Sequence, residues 1–257
     1  MNIRLFKGIV LKLNGFVLLF SLLVFALLIK LGLWQLERAT EKDLRLQTMQ
    51  QYQKQMSMNL NNAINLISTN GNIQEEVDHI NDLPVNLKGS FNNQQSFLLD
   101  NQVYKGRLGY RVIKVFKDEI SKTHVLVNLG WIEGKVNRSF IPEVKDIKGP
   151  LRFEGIVRVV EPSIVLVNEN LKTNNWPLRI QSIDINKISE LIEQPLLPFV
   201  VYVDPNASLG YIKEWVPIVM SPEKHRGYAF QWFSLALAWM VLMLLAAYKS
   251  AVIRNDT

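Results

Sequence analysis

Two long apolar runs, one near each end of the chain, enclose a middle in which hydrophobic and polar positions alternate. The C-terminal run, 228–248, carries no charged side chain. A helix needs about 20 such residues to cross a bilayer core of roughly 30 Å, so a membrane-spanning helix is predicted over 222–248. Ser221 suits the cap of that helix, Pro222 its first position, and Glu223 places negative charge beside the exposed N–H groups. The N-terminal run, 16–29, continues past Lys30 to Trp34 and follows Arg4, Lys7 and Lys12. No small-residue cleavage site precedes the charged sequence, which predicts an uncleaved anchor over 13–34 rather than a signal peptide. Residues 35–58 are rich in Leu, Gln, Glu, Arg and Lys and hold no Gly or Pro, so the anchor is expected to continue as a helix beyond the bilayer.

From Leu83 onward the period changes from helical to strand-like. Strands are predicted at 85–91, 96–99, 110–116, 123–132, 151–159 and 198–203, with a turn at Asn92-Asn93-Gln94 and a short helix over 184–194 capped by Asp184. Many short strands with turns between them indicate an antiparallel sheet or a partly closed barrel. The fold class expected is an α+β membrane protein: N- and C-terminal transmembrane helices flanking a mainly antiparallel-β extracytoplasmic domain, 35–221.

Basic residues at both ends, Arg4, Lys7 and Lys12 before the first run and Lys249 and Arg254 after the second, place the short segments 1–12 and 249–257 in the cytoplasm. In a bacterium this is an inner (plasma) membrane protein with a periplasmic domain. The absence of cysteine suits an oxidising compartment. The net charge of +6 is spread along the chain without a basic block, which argues against a nucleic-acid partner and for a lipid bilayer.

No Gly-x-Ser-x-Gly elbow, cysteine nucleophile or phosphate-binding loop is present, and His79, His124 and His225 are far apart in sequence. The chain is therefore not expected to be an enzyme. His79 lies among polar residues, and His124 has strand neighbours and reads as structural. At about 100° per residue, His225, Tyr228 and Trp232 share an arc of roughly 60°, continued by Ala236, Trp239 and Met243. The positive end of the helix dipole favours a neutral imidazole with a lone pair free for a metal. The same rings equally suit an interfacial aromatic belt. Gln35, Arg38 and Lys42 fall on one face of the first helix, which equally reads as a solvated surface. An imidazole, flat apolar walls and nearby cations are the parts from which a haem site is built.

Three blocks resemble the Surfeit locus protein 1 family over nearly the whole chain. Gly32-Leu33-Trp34-Gln35 with Arg38 and Lys42 is similar to the family's Gly-x-Trp-Gln-x-x-Arg-x-x-x-Lys. Gly109-Tyr110-Arg111-Val112, followed by Asn128-Leu129-Gly130-Trp131, is the second. The third is His225-Arg226-Gly227-Tyr228-Ala229-Phe230-Gln231-Trp232-Phe233. The family usually has Arg where Leu129 stands, Leu where Arg226 stands, and often Thr-Pro in place of Lys114-Val115. The resemblance implies an assembly factor for cytochrome c oxidase that binds haem a and helps insert it into the large haem-bearing oxidase subunit, with the haem a synthesis machinery as a further partner. It implies His225 as the axial ligand, Tyr228 and Trp232 for ring packing, and Trp34, Gln35, Arg38 and Lys42 at the adjoining span end, with Arg38 or Lys42 meeting propionates. A scaffold that steadies an assembly intermediate without cofactor is the alternative expectation.

Overall fold

The computed structural model describes residues 2–5, 9–12, 15–53, 56–67, 80–135, 137, 139–160, 176–215 and 219–252. His79, Lys7, Arg254 and most of the Asn-rich stretch 168–177 lie outside them. The chain divides into two compact units, Met49–Trp215 and Met1–Thr48 with Val216–Thr257.

The larger unit is a seven-stranded sheet closed on itself. Its strands are β3 (Met58–Asn59), β4 (Pro84–Tyr104), β5 (Arg107–Asp118), β6 (His124–Glu133), β7 (Leu151–Arg158), β8 (Leu178–Ile180) and β9 (Leu196–Val203), with the short helix α2 (Leu60–Ile67) between β3 and β4. The order β4-β5-β6-β9-β7 returns to β4, since β7 also pairs with Pro84–Gly89 of that strand, and β3 and β8 attach to β4 from outside the ring. Four pairings are antiparallel and three, β3·β4, β4·β8 and β6·β9, are parallel. The domain is thus mixed rather than mainly antiparallel. A parallel neighbour needs a long crossover, and the chain from β7 through β8 and the helix α3 (Ile185–Ile192) supplies it between β6 and β9.

The turn expected at Asn92–Gln94 is instead a bulge within one long strand. Phe91 pairs with Phe116 and Ser96 with Lys114, so four residues of β4 stand against one of β5. Asn92 Oδ1 accepts from the Gln94 amide, and the Asn93 side chain bonds Ile147 and the buried Lys114 ammonium. With those polar groups satisfied the chain has no need to reverse. The reversal comes later, at Lys105-Gly106, where both residues have positive φ as a two-residue hairpin turn requires.

Strands β5 and β6 are buried on both faces, because there are two cores. Val112, Phe116, Val125, Val127, Phe153 and Val201 fill the barrel interior, where Phe91, Phe116 and Phe153 form a ring cluster. Ile113, Val115, Leu126 and Val200 point the other way, against Ile188 and Ile192 of α3. Asp184 caps α3, its carboxylate accepting the Lys187 amide. That backbone hydrogen bond holds the carboxyl below its usual range.

The smaller unit holds α1 (Gly15–Gln53) as far as Thr48, α4 (Pro222–Val252) and a short antiparallel pair, β1 (Asn2–Leu5) with β2 (Ile9–Lys12). The helix α1 covers both the apolar run and its polar continuation and stops at Gln53, short of Met58, because Met58 and Asn59 join the sheet as β3. Both helices are long and apolar enough to cross a bilayer. Leu19, Phe20, Leu23, Leu27, Leu242 and Leu245 are exposed, which is compatible with membrane anchoring.

Candidate functional site

The helices of the smaller unit are antiparallel neighbours: Asp43 meets Arg226, Gln35 meets His225, Gly32 meets Phe233 and Ser21 meets Trp239. Among the described residues of α4 the buried positions are Pro222, His225, Ala229, Ala236 and Ala247, with Trp232 and Trp239 partly covered. On α1 they are Gly32 and Ala39, flanked by Ser21, Gln35 and Lys42. Spacings alternate between three and four residues, the period that keeps one seam facing a partner helix. Gly32, Ala39, Ala229 and Ala236, four of its most covered residues, are small, which is how helices approach each other when their outer faces are apolar. A Cβ on Gly32 would lie 2.5 Å from the Phe233 ring, so that glycine is what admits the ring against α1. Trp239 Nε1 donates to the Ser21 carbonyl and hydroxyl oxygens at 3.2 and 3.1 Å.

His225 sits in the first turn of α4, where the Ser221 carbonyl accepts the Lys224 and His225 amides. The residue is buried, 7% exposed. Nδ1 lies 2.7 Å from Gln35 Oε1, while Nε2 is buried with no hydrogen-bond partner. One residue on, Arg226 pairs with Asp43 across the seam. Among the described residues Asn128 Nδ2, in the barrel, is the other buried side-chain polar atom without a partner. An amide nitrogen has no lone pair to offer a metal, whereas a deprotonated imidazole nitrogen has one. The donor chemistry at His225 therefore fits an iron ligand.

The remaining sequence-derived residues are distributed around this pair. Trp232 and Lys42 are partly buried at the seam. Tyr228 is 44% exposed, because Ala229 occupies the covered position and Tyr228 is turned about 100° from it. Trp34 is 46% exposed. Arg38 does not share the seam with Gln35 and Lys42; its guanidinium lies over Trp34 at 5.9 Å and pairs with Glu41 at 2.6 Å. Asp43, Gly32 and Ala39 join the seam without a chemical motif to mark them, although a row of small residues at seven-residue spacing is a readable signal of a close helix contact.

In the barrel unit the Gly109-Tyr110-Arg111 block builds a folded corner. A Cβ on Gly109 would meet the Ile132 carbonyl and the Trp131 ring, and Trp131 Nε1 donates to the Gln102 carbonyl. Arg111 lies 5.0 Å from the Trp215 ring and 5.9 Å from Tyr202, and its Nε donates to Gln102 Oε1. His124 opens β6, and burial, then the nearby Lys117 cation, hold its ring below the usual histidine range. A cavity of about 460 Å³ lined by Asp82, Glu154, Asp204 and Ser57 offers carboxylates but no imidazole or thiolate.

The sequence profile of the SURF1 family matches residues 22–237, which takes in most of α1, the barrel strands and the N-terminal half of α4. The chain belongs to the SURF1 family. It is similar to the SURF1-like protein of Rickettsia felis, 27% identical over 243 residues that cover 90% of this chain and 96% of that one. The SURF1-like proteins of Rickettsia conorii and Rickettsia bellii are 25% and 24% identical, over 88% and 90% of their own lengths. SURF1 family members are known in general as cytochrome oxidase assembly factors, not as enzymes.

Proposed function

We propose that this SURF1 family member is anchored in a bacterial inner membrane, both termini cytoplasmic and barrel periplasmic, and carries haem a to the large haem-bearing subunit of cytochrome c oxidase. It takes the haem from the machinery that synthesises it. The observation that supports this reading is the buried, unpartnered Nε2 of His225. A buried polar atom without a partner costs about 1–3 kcal/mol, and coordination to haem iron would remove that cost. Tyr228 and Trp232 have exposed or partly exposed rings one and two turns along the same helix, suited to packing on a porphyrin face. Trp34 offers a further ring. Lys42 and Arg38 supply the positive charge that propionates need; the Arg38–Glu41 pair is solvent-exposed and worth under about 1 kcal/mol, so exchanging Glu41 for a propionate costs little. Gln35 holds the ligand ring.

Nε2 is covered by protein, so iron reaches it only when neighbouring side chains move. Uptake and release are thereby tied to a change in the helix pair, which contact with the oxidase subunit would drive. The test is the optical spectrum of protein purified from cells that make haem a. Wild type should carry haem and His225→Ala should not. Equal haem content in both removes the ligand assignment, and a haem-free variant that still restores oxidase activity favours the scaffold.

A further inference from the structure

Building on that haem reading, we propose that Gln35 is the positioning residue that fixes His225 in its Nδ1–H tautomer and so presents Nε2 as the bare nitrogen. The two residues are 190 positions apart in the chain, and their side chains meet at 2.7 Å. A carboxamide oxygen only accepts hydrogen bonds, so the nitrogen facing it must carry the proton. A neutral imidazole has one such proton; with Nδ1 protonated, Nε2 keeps its lone pair. Isolated histidine favours the opposite tautomer, so the preference here belongs to Gln35. Turning the amide over would place its NH₂ against Nδ1 and push the ring proton onto Nε2, leaving a buried donor without an acceptor.

The arrangement is held from both sides. Gly32, one turn before Gln35, lies against the Phe233 ring, and Ala39, one turn after, is 2% exposed. Asp43 fixes Arg226, the neighbour of His225, and so limits rotation of the first turn of α4. The amide is thus set by the packing of two helices rather than by its own rotamer preference. In metal sites the group that accepts the distal N–H of a ligating histidine sets its tautomer and orientation, and losing it weakens metal affinity about 10–100-fold.

The test uses the full chain, haem-free and in detergent, labelled with ¹⁵N-histidine; the His225 signals are those lost in His225→Ala. Wild type should show protonated Nδ1 and bare Nε2. Gln35→Leu, close in size but without an acceptor, should return His225 to the opposite tautomer and weaken haem a binding about 10–100-fold, with the fold kept and thermal stability lowered only by the loss of one hydrogen bond. Gln35→Glu keeps an acceptor and should retain both properties. Wild type with its proton on Nε2, or a Gln35→Leu variant whose tautomer and affinity match wild type, would overturn the proposal. If the tautomer follows residue 35 but no form binds haem, the haem reading fails and the positioning role stands. If haem binds through His225 whatever occupies position 35, the reverse holds.

Discussion

The barrel and the helix pair bury different things. In the barrel, large apolar side chains face inward on two sides of β5 and β6, and charged groups that enter are tied down, as Lys114 is by Asn93 Oδ1 and the Lys145 carbonyl. In the helix pair the covered positions are mostly small, with Gly32, Ala39, Ala229, Ala236 and Ala247 beside His225, while Phe16, Phe20, Phe230 and many leucines point outward. That inversion is what two solvents would produce. Water drives large apolar groups together, whereas between helices in lipid only close packing and hydrogen bonds remain to hold contact. The difference also explains where an unpartnered imidazole nitrogen is tolerable. The seam packs through small residues and a few polar contacts, so one open valence at its end leaves the rest intact.

The largest effect should come from the barrel interior. Phe116 is fully buried, with the Phe91 and Phe153 rings at 4.9 and 5.2 Å, so Phe116→Ala should lose about 3–5 kcal/mol in denaturant unfolding. A loss below about 1 kcal/mol would mean that the cluster contributes little to the barrel. In the helix pair the matching probe is overpacking. Gly32→Val would drive a side chain into Phe233 and cost about 1–3 kcal/mol. The chain has no cysteine, so cross-linking of an Asp43→Cys, Arg226→Cys background by a bifunctional maleimide, which spans the reach of the native Arg side chain, reports the contact directly. Gly32→Val should lower its yield, and an unchanged yield would show that the seam absorbs the bulk.

A smaller effect is expected at the edge of the second core, where Asp184→Ala should cost about 1 kcal/mol by loss of the cap. Because its folded-state carboxyl is held below the usual value, the stabilisation is present above the ordinary aspartate range and lost as pH falls through the folded value. Unfolding curves for wild type and Asp184→Ala should therefore converge in acid; a constant gap would exclude the cap as its source. The smallest change belongs to Arg38→Ala. Its exposed pair with Glu41 is worth under about 1 kcal/mol, so haem-free melting should hardly move while haem affinity falls. A large drop in haem-free stability would instead make Arg38 a structural residue.

Where a signal depends on neighbours along the chain it is legible in the sequence. An uncharged run of about 20 residues specifies a long apolar helix, and Asp184 caps α3 within three residues of itself. The barrel strands were readable for the same reason, through their alternation and intervening turns. The bulge at Asn92–Gln95 was not, because Asn93 finds its partners 54 residues away at Ile147 and across the strand at Lys114. Nor was the parallel pairing of β6 with β9, since a sequence pattern says which residues face inward and not which strand lies alongside.

At the candidate site the sequence by itself determined that a histidine begins the C-terminal apolar helix and that a Trp-Gln pair ends the first apolar run. Helical spacing is local, and it orders residues around one axis only. Which residue faces which across two helices is a property of their packing. Only the tertiary structure decided that Gln35 rather than Arg38 meets His225, that Ala229 takes the covered place and turns Tyr228 outward, and that one imidazole nitrogen is bound while the other is left without a partner.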